Sequence, residues 1–245
     1  MDTNTCTVLG ISMAGPLLGS LLGVSFRPKE SLMYAMLSFA GGTMLAISFL
    51  EMIPESLAMC GTAACVAGIL IGLLAMVALE EFFPGLKNEK AGAGSHGSLE
   101  KTSLMMVAAI FLHNFPEGMA MASGASMSHP GKAMLIAMAI AVHDIPEGIC
   151  TSAPYFYATG RRWRAFFLSA STALPVLAGF ILGRIVFTGM SDFLMGIIIG
   201  SIAGLMIYIS CEELIPTSQT GRHPIFSMAA LILGIIFVIF LGSQG

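Results

Sequence analysis

Charge is scarce in this chain. Only 10% of its 245 residues are Asp, Glu, Lys or Arg, against about 25% in a soluble globular domain, so the polar coat of a water-soluble enzyme is missing. There is no basic excess either. The net charge of −3 argues against a nucleic-acid partner. The five cysteines (Cys6, Cys60, Cys65, Cys150, Cys211) contain no CxxC pair and form neither a disulfide framework nor a zinc-finger pattern. No stretch alternates polar and apolar residues as a half-buried strand does. No HExxH is present, and no Ser or Cys nucleophile stands near a plausible base, which argues against an intramembrane metalloenzyme. What remains is apolar: 56% hydrophobic residues and a mean hydropathy of +0.87. The composition predicts an all-α integral membrane protein, one transmembrane domain over 1–245.

A helix crosses about 30 Å of hydrocarbon with roughly 20 residues. Apolar runs of that kind predict eight transmembrane helices, at 6–24, 32–53, 62–83, 103–126, 133–154, 166–187, 193–215 and 225–241. Closed helices satisfy the backbone in lipid. The longest polar break, 84–101, is Gly-rich and reads as a flexible loop within the domain. Of eleven Lys and Arg residues, all but Lys132 and Arg184 fall in alternate loops. Short basic loops stay cytoplasmic. Both termini are therefore expected outside, with loop 84–101 in the cytoplasm.

Ionisable groups at bilayer depth mark function, and two consecutive spans carry them in one pattern. His113-Asn114-Phe115-Pro116-Glu117-Gly118 recurs as His143-Asp144-Ile145-Pro146-Glu147-Gly148. On a helix, residues i and i+4 share a face, so His113 stacks with Glu117 and His143 with Glu147; Asn114 and Asp144 lie one position round. Facing each other, the two helices offer imidazole, amide and carboxylate donors to one ion. Pro116 and Pro146 leave the carbonyls of Leu112 and Val142 without their helical N–H partners, beside the histidines. Gly118 and Gly148 permit close backbone approach. Imidazole and carboxylate without thiolate suit Zn²⁺, Fe²⁺, Mn²⁺ or Cd²⁺ better than Cu⁺. Protons compete for the imidazoles, so metal binding is expected to tighten from about pH 5 to 7.

Glu51-Met-Ile-Pro54 in the second span resembles Glu213-Leu-Ile-Pro216 in the seventh. These spans run in opposite directions, as in an inverted repeat where helices one to three mirror six to eight. Glu51 and Glu55 are expected at an outer entrance, Glu212 and Glu213 at an inner exit. Glu80 and Glu81 read as solvated end charges, Cys150 and Cys211 as small buried residues, His129 and His223 as loop residues facing water. Met44 and Met119 read as core packing. The glycines at 41–42 and within 196–204 read as helix contacts.

HNFPEG followed by HDIPEG resembles the fourth- and fifth-helix signatures of the ZIP (Zrt/Irt-like) divalent metal transporters. Stretch 38–55 is similar to that family's second helix. The resemblance implies a 3+2+3 inverted-repeat bundle in the cell membrane and a homodimer. It also implies zinc or related divalent ions moved into the cytoplasm, with no resident cofactor. The transport site implied between helices four and five is His113, Asn114, Glu117, His143, Asp144 and Glu147. One departure stands out: Leu174 occupies the place before Pro175 where many relatives carry a sixth-helix carboxylate, so a full two-metal centre is not expected. The long loop carries only His96 in place of a histidine-rich stretch. An elevator-like alternating-access carrier is the mechanism implied, and a metal-selective channel using the same ligands is the alternative.

Overall fold

The structure is a computed structural model that describes residues 3–26, 29–82, 96–125, 130–186 and 191–242; the side chains of several residues inside these ranges, His143 among them, lie outside the description. The described elements are all helical: α1 (Thr3–Ser25), α2 (Glu30–Ile47), α3 (Ile53–Phe82), α4 (His96–Ala125), α5 (Pro130–Thr159), α6 (Arg162–Ala170), α7 (Ala173–Val186), α8 (Asp192–Ile209), α9 (Ile215–Gln219) and α10 (Pro224–Gly242). Four stretches among the described residues are long and apolar enough to cross a bilayer: Cys6–Ser25, Glu30–Phe82, Arg162–Arg184 and Asp192–Gln219. Pro224–Phe240 is a shorter apolar helix.

Several boundaries differ from the sequence reading. The second span does not stop at residue 53. A π-helical turn at Ser48–Met52 joins α2 to α3, and the break falls at Gly61, whose φ of 76° is a left-handed value that glycine adopts without Cβ strain. α4 begins at His96, so residues 96–101 of the expected loop are helical. The sixth span is interrupted at Ser171–Thr172 between α6 and α7. Pro175 lacks the N–H that would reach the Ser171 carbonyl, and the turn instead closes with Thr172 N–H donating to Ser169 O and Leu174 N–H to Ser171 O, both 3.0 Å.

The helices pack as two groups. α3 lies along α8 and α2 along α10; separately, α1 lies along α5 and α4 along α7. The groups meet chiefly where α2 touches α5 and α4 touches α8. Glycines set these distances. A Cβ at Gly42 would overlap the Leu231 carbonyl oxygen, and one at Gly204 would overlap that of Ile69; Gly118 stands in the same way against Val176 O and Gly148 against Pro16 O. Small residues of this kind let helices associate in lipid.

These contacts expose an internal repeat longer than the shared Glu-x-x-Pro. Stretches 38–56 and 200–218 align on Gly42/Gly204, Met44/Met206, Ile47/Ile209, Ser48/Ser210, Glu51/Glu213, Pro54/Pro216 and Ser56/Ser218. Both carry a π-helical turn, at Ser48–Met52 and Ser210–Leu214. Each proline denies an N–H to the carbonyl four residues earlier, and a widened turn absorbs the mismatch. The Ser48 and Ser210 hydroxyls then donate back to Met44 O and Met206 O, both at 2.8 Å.

Candidate metal pathway

The signature residues lie deep in the protein. His113 is 1% exposed, Asn114 and Asp144 0%, Glu117 8% and Glu147 2%. On α4, His113 Nε2 stands 3.8 Å from Glu117 Oε2, as the i, i+4 spacing predicts. Two atoms each about 2.1 Å from one zinc ion lie at most about 4.2 Å apart, so this pair is within bridging reach. Neither imidazole nitrogen makes a hydrogen bond among the described residues, which is unusual for a buried polar group. His113 borders a void of about 10 Å³ that it shares with Met44, Ile110, Leu205, Met206 and Ile209, about the room one water needs. Met44 and Met206, equivalent in the repeat, thus meet beside this histidine; Met119 is buried in packing.

Asn114 is oriented by a partner that sequence spacing does not reveal. Its Nδ2 donates to the Thr172 carbonyl at 2.7 Å, in the turn opened by Pro175. That bond turns Oδ1 the other way, and Oδ1 makes no hydrogen bond among the described residues. An ionised carboxylate has no proton to donate in this way, so Asp144 is a different donor from Asn114 despite its matching position. Three or more His, Cys, Asp or Glu side chains do not converge at metal-binding distance among the described residues. His143 lies in α5, and its side chain is outside the described set.

The outlying acids divide. Glu51 and Glu55 are exposed, as is Glu212, while Glu213 is 5% exposed. Glu80 corrects an expectation: it is 9% exposed and hydrogen-bonds Tyr208, whose hydroxyl also feels the charges of Glu212 and Glu213. Burial between α3 and α8 makes Glu80 part of this acidic group. Glu81 is exposed as expected. Cys150 is buried, but Cys211, in the π-helical turn Ser210–Leu214, is exposed, against expectation. Leu174 is 56% exposed and lines an apolar crevice with Phe111, Leu112 and Phe115. His223 is exposed; His129 and the side chain of His96 lie outside the described residues.

One turn beyond Glu147, a string of buried hydroxyls ties three helices together. Ser20 of α1 meets Ser169 of α6 at 2.6 Å. Ser169 also meets Thr151 of α5 and reaches the Gly148 carbonyl at 3.0 Å. Thr151 approaches the Glu147 and Gly148 carbonyls, both at 3.1 Å. These hydroxyls have no periodic signature, and only the tertiary contacts reveal them.

Long apolar helices packed through glycines, with imidazole, amide and carboxylate groups buried among them, define a multi-pass membrane protein with a buried polar cluster. That is the build of a membrane transporter for a small polar solute. The comparisons specify the class. The family model described as ZIP zinc transporter matches residues 87–242. The chain is 32% identical over 241 residues to the zinc transporter ZupT of Chlorobium chlorochromatii, covering 89% of each chain. It is 33% identical over 237 residues to ZupT of Chlorobium luteolum, covering 89% of this chain and 88% of the relative. Against ZupT of Salmonella newport it is 35% identical over 218 residues, 84% of this chain and 83% of the other. The chain belongs to the ZIP zinc transporter family, whose members are transporters and not enzymes.

Proposed function

We propose that this protein carries zinc across the cell membrane into the cytoplasm by alternating access, holding the ion between α4 and α5. The ligands are His113, Asn114, Glu117, His143, Asp144 and Glu147. The observation that carries the reading is the buried His113–Glu117 pair, 3.8 Å apart, with both imidazole nitrogens lacking hydrogen bonds among the described residues. An arriving cation supplies the missing partner and draws the α5 donors toward α4. Fe²⁺, Mn²⁺ and Cd²⁺ fit the same chemistry and are secondary substrates.

The architecture proposed is eight spans in a 3+2+3 inverted repeat with both termini outside and loop 84–101 in the cytoplasm, assembled as a homodimer. The paired equivalences of 38–56 with 200–218 support the repeat, and the distribution of Lys and Arg supports the orientation. Glu51 and Glu55 line the outer entrance; Glu212 and Glu213, joined by Glu80, line the inner exit. α1 and α4–α7 move as one body against α2, α3 and α8–α10. The division of the packing into these two groups supports that motion.

Proteoliposomes test the proposal. Zinc uptake is expected to saturate with concentration, and Glu117→Ala with Glu147→Ala to abolish the saturable component. Flux that climbs linearly and follows voltage would establish the channel instead. Zinc at a hundred times its dissociation constant should stabilise the purified protein by about 2.7 kcal/mol, a gain the double variant loses. Unchanged uptake and unchanged zinc stabilisation in that variant would sink the assignment of these ligands.

A further inference from the structure

Between α2, α5 and α10, bordered by Pro146 of the second signature motif, lies another crevice. It has a volume of about 290 Å³ and an entirely apolar lining, which includes Met36 and Phe39 of α2, Ile149 and Cys150 of α5, and Phe226 and Leu233 of α10. A second cavity of about 670 Å³ adjoins it, sharing Phe226 and Ala229, and is lined by Ser31, Arg222 and His223. The two meet at Phe226 and Ala229 in the first turns of α10. Both helices start at the polar cavity, at Glu30 and Pro224, and direct their positive dipole ends there. Arg222 and His223 are exposed. Arg222 faces Glu30 3.7 Å away in an exposed pair, weak enough for a phosphate to displace.

We propose that these adjoining cavities together bind one anionic phospholipid, its phosphate between Arg222 and His223 and one acyl chain along α10 toward Leu233. Charge and shape select this occupant. Arg222, once it leaves Glu30, lies beside two helix N-termini and attracts an anionic headgroup, and the tail meets only apolar side chains. From Ile225 to Leu233 the groove follows α10 for about 12 Å at 1.5 Å per residue. A comparable crevice of about 300 Å³ between α4 and α7 has no basic residue in its lining and selects no headgroup. The bound lipid sits between α5 and the α2–α10 pair, filling space where the two helix groups meet.

Native mass spectrometry of the purified protein, with equimolar phosphatidylglycerol and phosphatidylethanolamine of identical chains, tests this. Phosphatidylglycerol adducts should dominate by about fivefold, the weight of one surface cation. Arg222→Ala with His223→Ala should bring the ratio near one. Glu30→Gln should raise it by freeing Arg222, a gain that general weakening cannot mimic. Ala230→Trp should diminish both adducts by filling the groove, with Ala229→Trp in its place should the first variant not fold. Equal adducts on the unmodified protein, or adducts indifferent to both the headgroup and groove variants, would overturn the proposal. So would cross-linking of Ala229→Cys between two copies, which would mean that a second copy covers the groove. The measurement needs no zinc, so it succeeds or fails independently of the carrier reading.

Discussion

Gly179 of α7 stands against the Phe115 carbonyl and Gly19 of α1 against that of Ile145, matched positions of the two Pro-Glu-Gly motifs. Phe180 and Ser20, which follow these glycines, are therefore counterparts. Met121 and Thr151 match in the same way, as do Leu9 and Ser169. The first member of each pair belongs to a dry cluster with Val8, Ala122, Ala137 and Val176; the second belongs to the hydroxyl string. The backbone scaffold is therefore common to both ends of the α4–α5 pair, while the filling differs. Apolar contacts are non-directional and tolerate sliding, whereas hydrogen bonds fix register through angle and distance. Symmetry of packing and asymmetry of chemistry coexist because glycine-to-carbonyl contacts set helix spacing and leave neighbouring side chains free to vary.

The largest effect that can break this comparison comes from Phe180→Ala. It should cost about 3–5 kcal/mol through lost transfer energy and a residual cavity, read as a shift in unfolding of the detergent-solubilised protein. Ser20→Ala should cost only about 1 kcal/mol, and equal losses would mean that the ends do not differ as described. Next come Gly118→Ala and Gly148→Ala. Each should destabilise by about 1–3 kcal/mol through overpacking, and by similar amounts if the repeat governs spacing. Thr151→Val follows, at about 1–2 kcal/mol for the orphaned hydroxyls around Ser169; Met121→Leu at the matching site should be nearly silent. The smallest are Ser38→Ala and Ser56→Ala. Ser38 donates to Ser218 at 2.6 Å and Ser56 to Gly196 O at 2.7 Å, each worth about 0.6 kcal/mol by the average for helix contacts in membranes. A strong difference between them would show that the outer helices do not share the symmetry.

Much of the site could be read before any coordinates. The i, i+4 relation of His113 and Glu117 is a property of helical geometry and reappears as a 3.8 Å contact. The repeated Glu-x-x-Pro marked both π-helical turns, although it gave no hint that they widen. Glu80 departs from the end-charge expectation because two adjacent acids at a span end look alike in sequence, and only Tyr208, from a helix far along the chain, distinguishes them by bonding one. Thr172 was invisible as a partner of Asn114, since the bond uses its backbone carbonyl and depends on the turn before Pro175.

Composition and periodicity determined that this chain lives in a membrane, which helices carry its polar groups and which residues pair along one helix. They could do so because hydropathy and helical pitch are local quantities. Tertiary structure decided which acids are buried, which way Asn114 and Leu174 face, and why one end of the α4–α5 pair is dry while the other is hydroxylated. Those outcomes depend on partners brought from remote helices, whose approach is governed by backbone contact at glycines and by no spacing within a single span.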